Sequence, residues 1–123
     1  MTKPRSLRPL GLLTLMLLLP LASWAGPAHI TDAQAAAHIG ERVVVEGKVV
    51  VVYTSPSGNI YFNFGAVYPR QDFSVVIFSA DGGAFLNVAK YAHRRVAVTG
   101  VVERYRGKPE IVVHSPRQLR LLD

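Results

Sequence analysis

RVVVEGKVVVVY, residues 42–53, decides how this chain folds, because seven of its twelve residues are valine. A β-branched side chain is stiff in a helix and packs well on a pleated surface. The pattern alternates at first and then turns apolar on both sides, which predicts a long strand buried on one face at one end and on both faces at the other. RVAVTGVV, residues 95–102, repeats it at an offset of 53, with Arg95, Val96, Val98, Gly100 and Val102 standing where Arg42, Val43, Val45, Gly47 and Val49 stand. Glycine inside a strand has no side chain to pack and marks a bulge or a sharp bend. Two long strands, each bent at a central glycine, are what a small closed barrel needs at its corners.

Working outward, Thr54-Ser55-Pro56-Ser57-Gly58 reads as a turn, with Pro where φ is pre-set and Gly at its end. Ile60 to Phe64 is then the return strand of a hairpin, Gly65 to Asp72 a connection, and Phe73 to Phe78 a third strand. Ala80-Asp81-Gly82-Gly83 breaks the pattern and introduces a short helix over Ala84 to Tyr91. Arg95 to Tyr105 is a fourth strand, Arg106-Gly107-Lys108-Pro109 a tight turn, and Glu110 to His114 a fifth strand. Upstream, Thr31 and Gln34 stand at capping-box spacing and Gly40 can close a short N-terminal helix. The expectation is an all-β domain with a small α content, a five-stranded barrel with one short helix between strands 3 and 4.

Lys3, Arg5 and Arg8 precede an apolar run, Leu10 to Leu21, that ends in Ala22-Ser23-Trp24-Ala25. A basic head, a greasy middle and small residues at a cleavage point read as an export signal. A membrane anchor needs about 20 apolar residues, more than this run supplies, so residues 1–25 are expected to be a signal peptide cleaved after Ala25. The chain has no cysteine, hence neither a disulfide framework nor a thiol for a lipid. The expected product is one periplasmic or secreted domain, residues 26–123, free of the membrane and monomeric. Without the leader it has eleven Lys and Arg against eight Asp and Glu, a net charge of +3. Seven of those cations lie in residues 94–123; such a cluster attracts phosphates or serves as a solvated face.

The strand order, together with GERVVVEGKV (40–49), FNFG (62–65), Tyr68-Pro69, Asp72-Phe73, VAVTG (96–100), GKPEI (107–111) and SPRQL (115–119), resembles the small exported bacterial proteins of the oligonucleotide/oligosaccharide-binding (OB) fold, a nucleic-acid-binding-like family. The resemblance covers nearly all of residues 26–123. It implies a five-stranded Greek-key barrel whose outer face on strands 2 and 3, flanked by the loops joining strands 1 to 2 and 4 to 5, holds the ligand. Here those loops are Thr54 to Gly58 and Arg106 to Pro109.

Alternation sorts the rings of YFNFGAVYPRQDFSVVIF, residues 61–78, which contain six of the ten Phe and Tyr residues. Along strand 2, Ile60, Phe62 and Phe64 share the face that belongs inside, and Tyr61 and Asn63 the face that belongs outside. Strand 3 is apolar on both faces, and the set of Phe73, Val75 and Ile77 is assigned to the core. The outward candidates for a nucleic-acid surface are therefore Tyr53, Tyr61, Tyr68 and Tyr105, with Asn63 between strands and Arg70, Arg104, Arg106 and Lys108 at the edges. Bases stack on exposed rings for about 1–3 kcal/mol each while cations follow the phosphates. The same tyrosines would equally serve as rim residues, ring buried and hydroxyl wet. Gly65 and Pro69 read as loop architecture.

Exported OB barrels include the staphylococcal-type nucleases, which gather carboxylates around a metal. Asp72, Asp81, Glu103 and Glu110 are scattered over different elements, and no spacing brings two of them together. His29, His38, His93 and His114 lie on four separate elements without metal-ligand spacing. Gly82-Gly83 is too short for a phosphate loop. The expectation is a binding module with no cofactor, metal or catalytic set, taking single-stranded nucleic acid through tyrosine stacking and a basic hairpin. The competing expectation is a periplasmic adaptor for a protein or a small envelope ligand.

Overall fold

The computed structural model describes residues 26–123; the expected signal peptide lies outside the described residues. Eight strand segments follow: β1 (Ala28–Thr31), β2 (Arg42–Thr54), β3 (Ile60–Phe64), β4 (Phe73–Ile77), β5 (Arg95–Val101), β6 (Glu103–Tyr105), β7 (Lys108–Val112) and β8 (Leu119–Leu121). The fold is all-β, and the turns between strands are tightened by short 3-10 segments. The N-terminal one, Asp32–His38, has the expected capping box between Thr31 and Gln34.

Two expectations are corrected. Between β4 and β5 there is no single helix over Ala84 to Tyr91 but two 3-10 turns, Ser79–Ala84 and Val88–Tyr91. Asn87 between them takes the left-handed conformation, φ 53, which interrupts a right-handed helix. The strand count is eight segments and not five. The expected fourth strand is split at Val102 into β5 and β6, and β1 and β8 are additions of four and three residues, too short to show a period of their own.

The path of the sheet follows from the two long valine strands. Arg42 to Lys48 of β2 pairs antiparallel with β5, while Val49 to Thr54 pairs antiparallel with β3, and the register slips between Val49 and Val51. Strand β1 lies parallel to the first half of β2, and β8 pairs with β5. From β3 the sheet continues antiparallel to β4, then parallel to β7, then antiparallel to β6. Since β6 continues β5 after one residue, the stretch Arg95 to Tyr105 touches β2 with its first half and β7 with its second.

The two glycines of the repeated motif stand where that geometry leaves no room. A Cβ on Gly47 would lie 2.5 Å from Asp32 Oδ1 and 3.1 Å from Phe64 Cδ2, and one on Gly100 would lie 2.5 Å from Ile111 Cγ2. Inside, Phe62, Phe64, Phe73, Val75 and Ile77 are all fully buried with Val43, Val45, Val49, Val96, Val98 and Ile111. The assignment of Phe73, Val75 and Ile77 to the core holds. Phe64 meets Phe73 at 5.1 Å between ring centroids, and Phe62 meets Tyr91 at 5.2 Å, distances at which tilted rings attract.

Candidate functional site

Side chains of β2, β3, β4 and β7 that turn away from the core form two rows across the strands. In one row Tyr53 stands opposite Tyr61, Tyr61 opposite Val76, and Val76 opposite Val112. In the next, Val51 faces Asn63, Asn63 faces Ser74, Ser74 faces Glu110, and Glu110 faces Glu103. Over this surface lies a groove of about 770 Å³, walled by the β2–β3 hairpin on one side and the β6–β7 hairpin on the other, with the loop of Val67, Tyr68 and Pro69 as its lip.

Seven of the nine residues expected at the site line this groove: Tyr53, Tyr61, Asn63, Tyr68, Tyr105, Arg106 and Lys108. Tyr53 and Tyr61 form a near-parallel pair, centroids 6.3 Å apart and planes at 25°. Tyr53, Tyr68 and Tyr105 are each more than half exposed. Arg106 and Gly107 are the two residues of the hairpin turn, with φ of 50° and 79°. Both central residues of a type I′ turn take positive φ, where Asn and Gly are the usual occupants. An arginine there is unfavourable for the turn, and it holds its guanidinium 5.2 Å from the Tyr105 ring centre, a cation over an aromatic face.

Two of the expected residues lie outside the groove. Arg70 and Arg104 are exposed but do not line the groove; period-two alternation along β6 turns Arg104 away from the side that Tyr105 and Glu103 share. Asn63 is on the outer face as expected, yet only 8% exposed, and Ser74 beside it donates its hydroxyl to Asn63 Oδ1 at 3.0 Å.

No model of a known protein family matches the chain, and no curated protein does. Among solved structures it is similar to a putative aspartyl-tRNA synthetase from Leishmania major Friedlin, with a TM-score of 0.55 and 8% sequence identity. The likeness covers 85% of this chain and 22% of that one, and at such identity it concerns the fold alone.

The sequence pattern missed the groove's polar floor. Gln71 is 6% exposed and its Oε1 has no hydrogen-bond partner among the described residues, while its backbone carbonyl accepts from Lys108 Nζ at 3.3 Å. Glu110 is half-buried, and burial first, then the Glu103 carboxylate opposite, pushes its carboxyl above the ordinary glutamate range. The expectation that no two of Asp72, Asp81, Glu103 and Glu110 converge is overturned by one pair, and Asp32, outside that set, meets Asp72 as well. Glu103 faces Glu110, and Asp32 is raised by burial and by a hydrogen bond shared with the Asp72 carboxyl. Among the described residues no three His, Cys, Asp or Glu side chains gather. Three histidines are engaged singly with carboxylates: His29 with Glu46 at 2.7 Å, His38 with Glu41 at 2.9 Å and His114 with Asp81 at 2.8 Å.

Glu110 carries a testable consequence. Its folded-state pKa lies above its unfolded one, so the charged form is disfavoured by folding. Stability from this group is complete below the unfolded pKa and is lost as pH rises through the folded one. Glu110→Gln is thus expected to raise the denaturation midpoint at pH 7, with the gain vanishing as pH falls through the carboxylate range. Urea melts of both chains at neutral and acid pH check this, and a variant less stable at pH 7 would contradict it.

Proposed function

We propose that this domain is an OB-fold module that binds single-stranded nucleic acid along the groove, resembling the small exported bacterial proteins of that fold and acting in the periplasm or outside the cell. The circuit β2, β3, β4, β7, then β6 and β5 back to β2 supports the fold, because its order and its one parallel pair are those of a five-stranded Greek-key barrel, to which β1 and β8 are appended. The observation that carries the function is the co-assembly of Tyr53, Tyr61, Tyr68 and Tyr105 with Arg106 and Lys108 on one groove. Stacked rings accept any base by its π-face, and cations at the rim follow the backbone. The Glu110 carboxylate lies on the floor and the Arg106 guanidinium on the turn, so bases point inward and phosphates outward.

The test is fluorescence anisotropy of a labelled single strand titrated with residues 26–123 at several salt concentrations. Two groove cations meeting phosphate predict a slope of log K against log salt of about −1.4, at about −0.7 per phosphate. Duplex should compete poorly, since its bases are not free to stack on tyrosine. No binding at low salt would sink the proposal and favour an adaptor for a protein or envelope ligand, whose apolar contact would be nearly indifferent to salt.

A further inference from the structure

Stacking and phosphate contacts do not require the polar strip on the groove floor. Asn63, Ser74 and Glu110 form one row across three adjacent strands, so Asn63 and Glu110 stand two strand spacings apart, about 10 Å between backbones. The residue between them is the small Ser74, and all three side chains line the groove, so the edge of a planar ring lying in it meets them together. The two ends of the row differ in character. Ser74 donates to Asn63 Oδ1, and this fixes the carboxamide and leaves its Nδ2 group as a donor. Glu110, on the groove lining, offers two carboxylate oxygens, and among the described residues no side-chain hydrogen bond occupies them. The floor thus presents one donor on one side and a surplus of acceptors on the other.

We propose that this strip reads the Watson–Crick edge of a guanine, which makes Asn63 and Glu110 the specificity determinants of the groove. The inference rests on the reading of the groove as a single-strand site. Guanine displays, in order, the O6 acceptor, the N1–H donor and the N2 amino donor. O6 takes the Asn63 amide and the two donors face the Glu110 carboxylate, over Ser74. Thymine and uracil put an acceptor, O2, where guanine has its amino group, and it meets the carboxylate as like against like. Cytosine and adenine place a ring-nitrogen lone pair toward Glu110 where guanine has N1–H. A base pair held in duplex has this edge covered, so the same contacts favour single strands.

The experiment compares thymidine strands of about ten nucleotides that differ at one central position, guanine, inosine or thymine, by competition anisotropy at fixed salt. The guanine strand is expected to bind about tenfold more tightly than the all-thymine strand, with inosine, which lacks the N2 amino group, in between. Glu110→Gln replaces one carboxylate oxygen by a donor and is expected to bring the guanine and thymine strands to similar affinities. That variant relieves a buried charge, so its fold is not at risk, and inosine tests the same contact without altering the protein. Equal binding of all three strands by the parent chain would overturn the base-reading strip while leaving the single-strand site standing. A guanine preference that survives in Glu110→Gln would overturn the role of Glu110, and failure to bind any strand would overturn both readings.

Discussion

Gly100→Val is expected to destabilise the domain by about 3 kcal/mol, whereas Gly83→Ala shifts stability by no more than about 0.5 kcal/mol. Around Gly83 nothing lies within 4 Å of the position a Cβ would take. At Gly100 the same atom falls 2.5 Å from Ile111 Cγ2, and Ile111 is fully buried. That methyl sits on a β-branched carbon whose χ1 has few alternatives, so it cannot swing aside as the end of a lysine would. The backbone of β5 must therefore lift from the core, and it does so two residues before Val102, the break between β5 and β6. Strain there works against both the β2–β5 and the β6–β7 pairings, the two halves of the strand that joins the ends of the circuit. Urea denaturation reads the effect directly as a lowered midpoint with little change in slope. A Gly100→Val chain as stable as the parent would mean that β5 and Ile111 do not approach as closely as described, and the return of the sheet on itself would lose its support.

Legibility in the sequence tracked the range of the interaction. The valine repeat and its two glycines were readable because a bend needs only local chemistry, and the turn at Thr54 to Gly58 follows from Pro56 and Gly58 alone. Phenylalanine inside and tyrosine outside followed from period two, and Tyr91, which is 8% exposed, is the tyrosine that packs inward against Phe62. What was not readable depends on partners far along the chain. Strand β1 exists because residues 28–31 lie parallel to residues 43–46, and nothing in AHIT announces that pairing. The convergence of Glu103 and Glu110 was available in principle: once the turn is confined to Arg106 and Gly107, Tyr105 must face Lys108, and counting back two places sets Glu103 against Glu110. A wider turn, through Pro109, concealed it. Gln71 gave no signal, because the burial of a loop carboxamide is decided by the walls around it.

Replacing both Tyr53 and Tyr61 by alanine is expected to weaken single-strand binding by about 2–4 kcal/mol, between about thirtyfold and a thousandfold. The two rings are a cross-strand pair at 6.3 Å, so each fixes the orientation of the other, and either single substitution should cost more than half of the double. Such non-additivity belongs to residues that act as a unit, and a double-mutant cycle measures it. The fold should survive, because Tyr53 is 52% exposed and neither ring is in the core cluster; a cross-strand aromatic pair contributes about 0.2–1 kcal/mol to its sheet. The salt slope separates this effect from a general weakening. Tyrosine carries no charge to exchange for counterions, so the double variant should bind less tightly with the same slope, whereas Arg106→Ala should flatten the slope by about 0.7. A folded double variant with parental affinity would assign the tyrosines to the barrel rim, where their rings shield the sheet and their hydroxyls meet water, and would withdraw the groove as the place where bases stack.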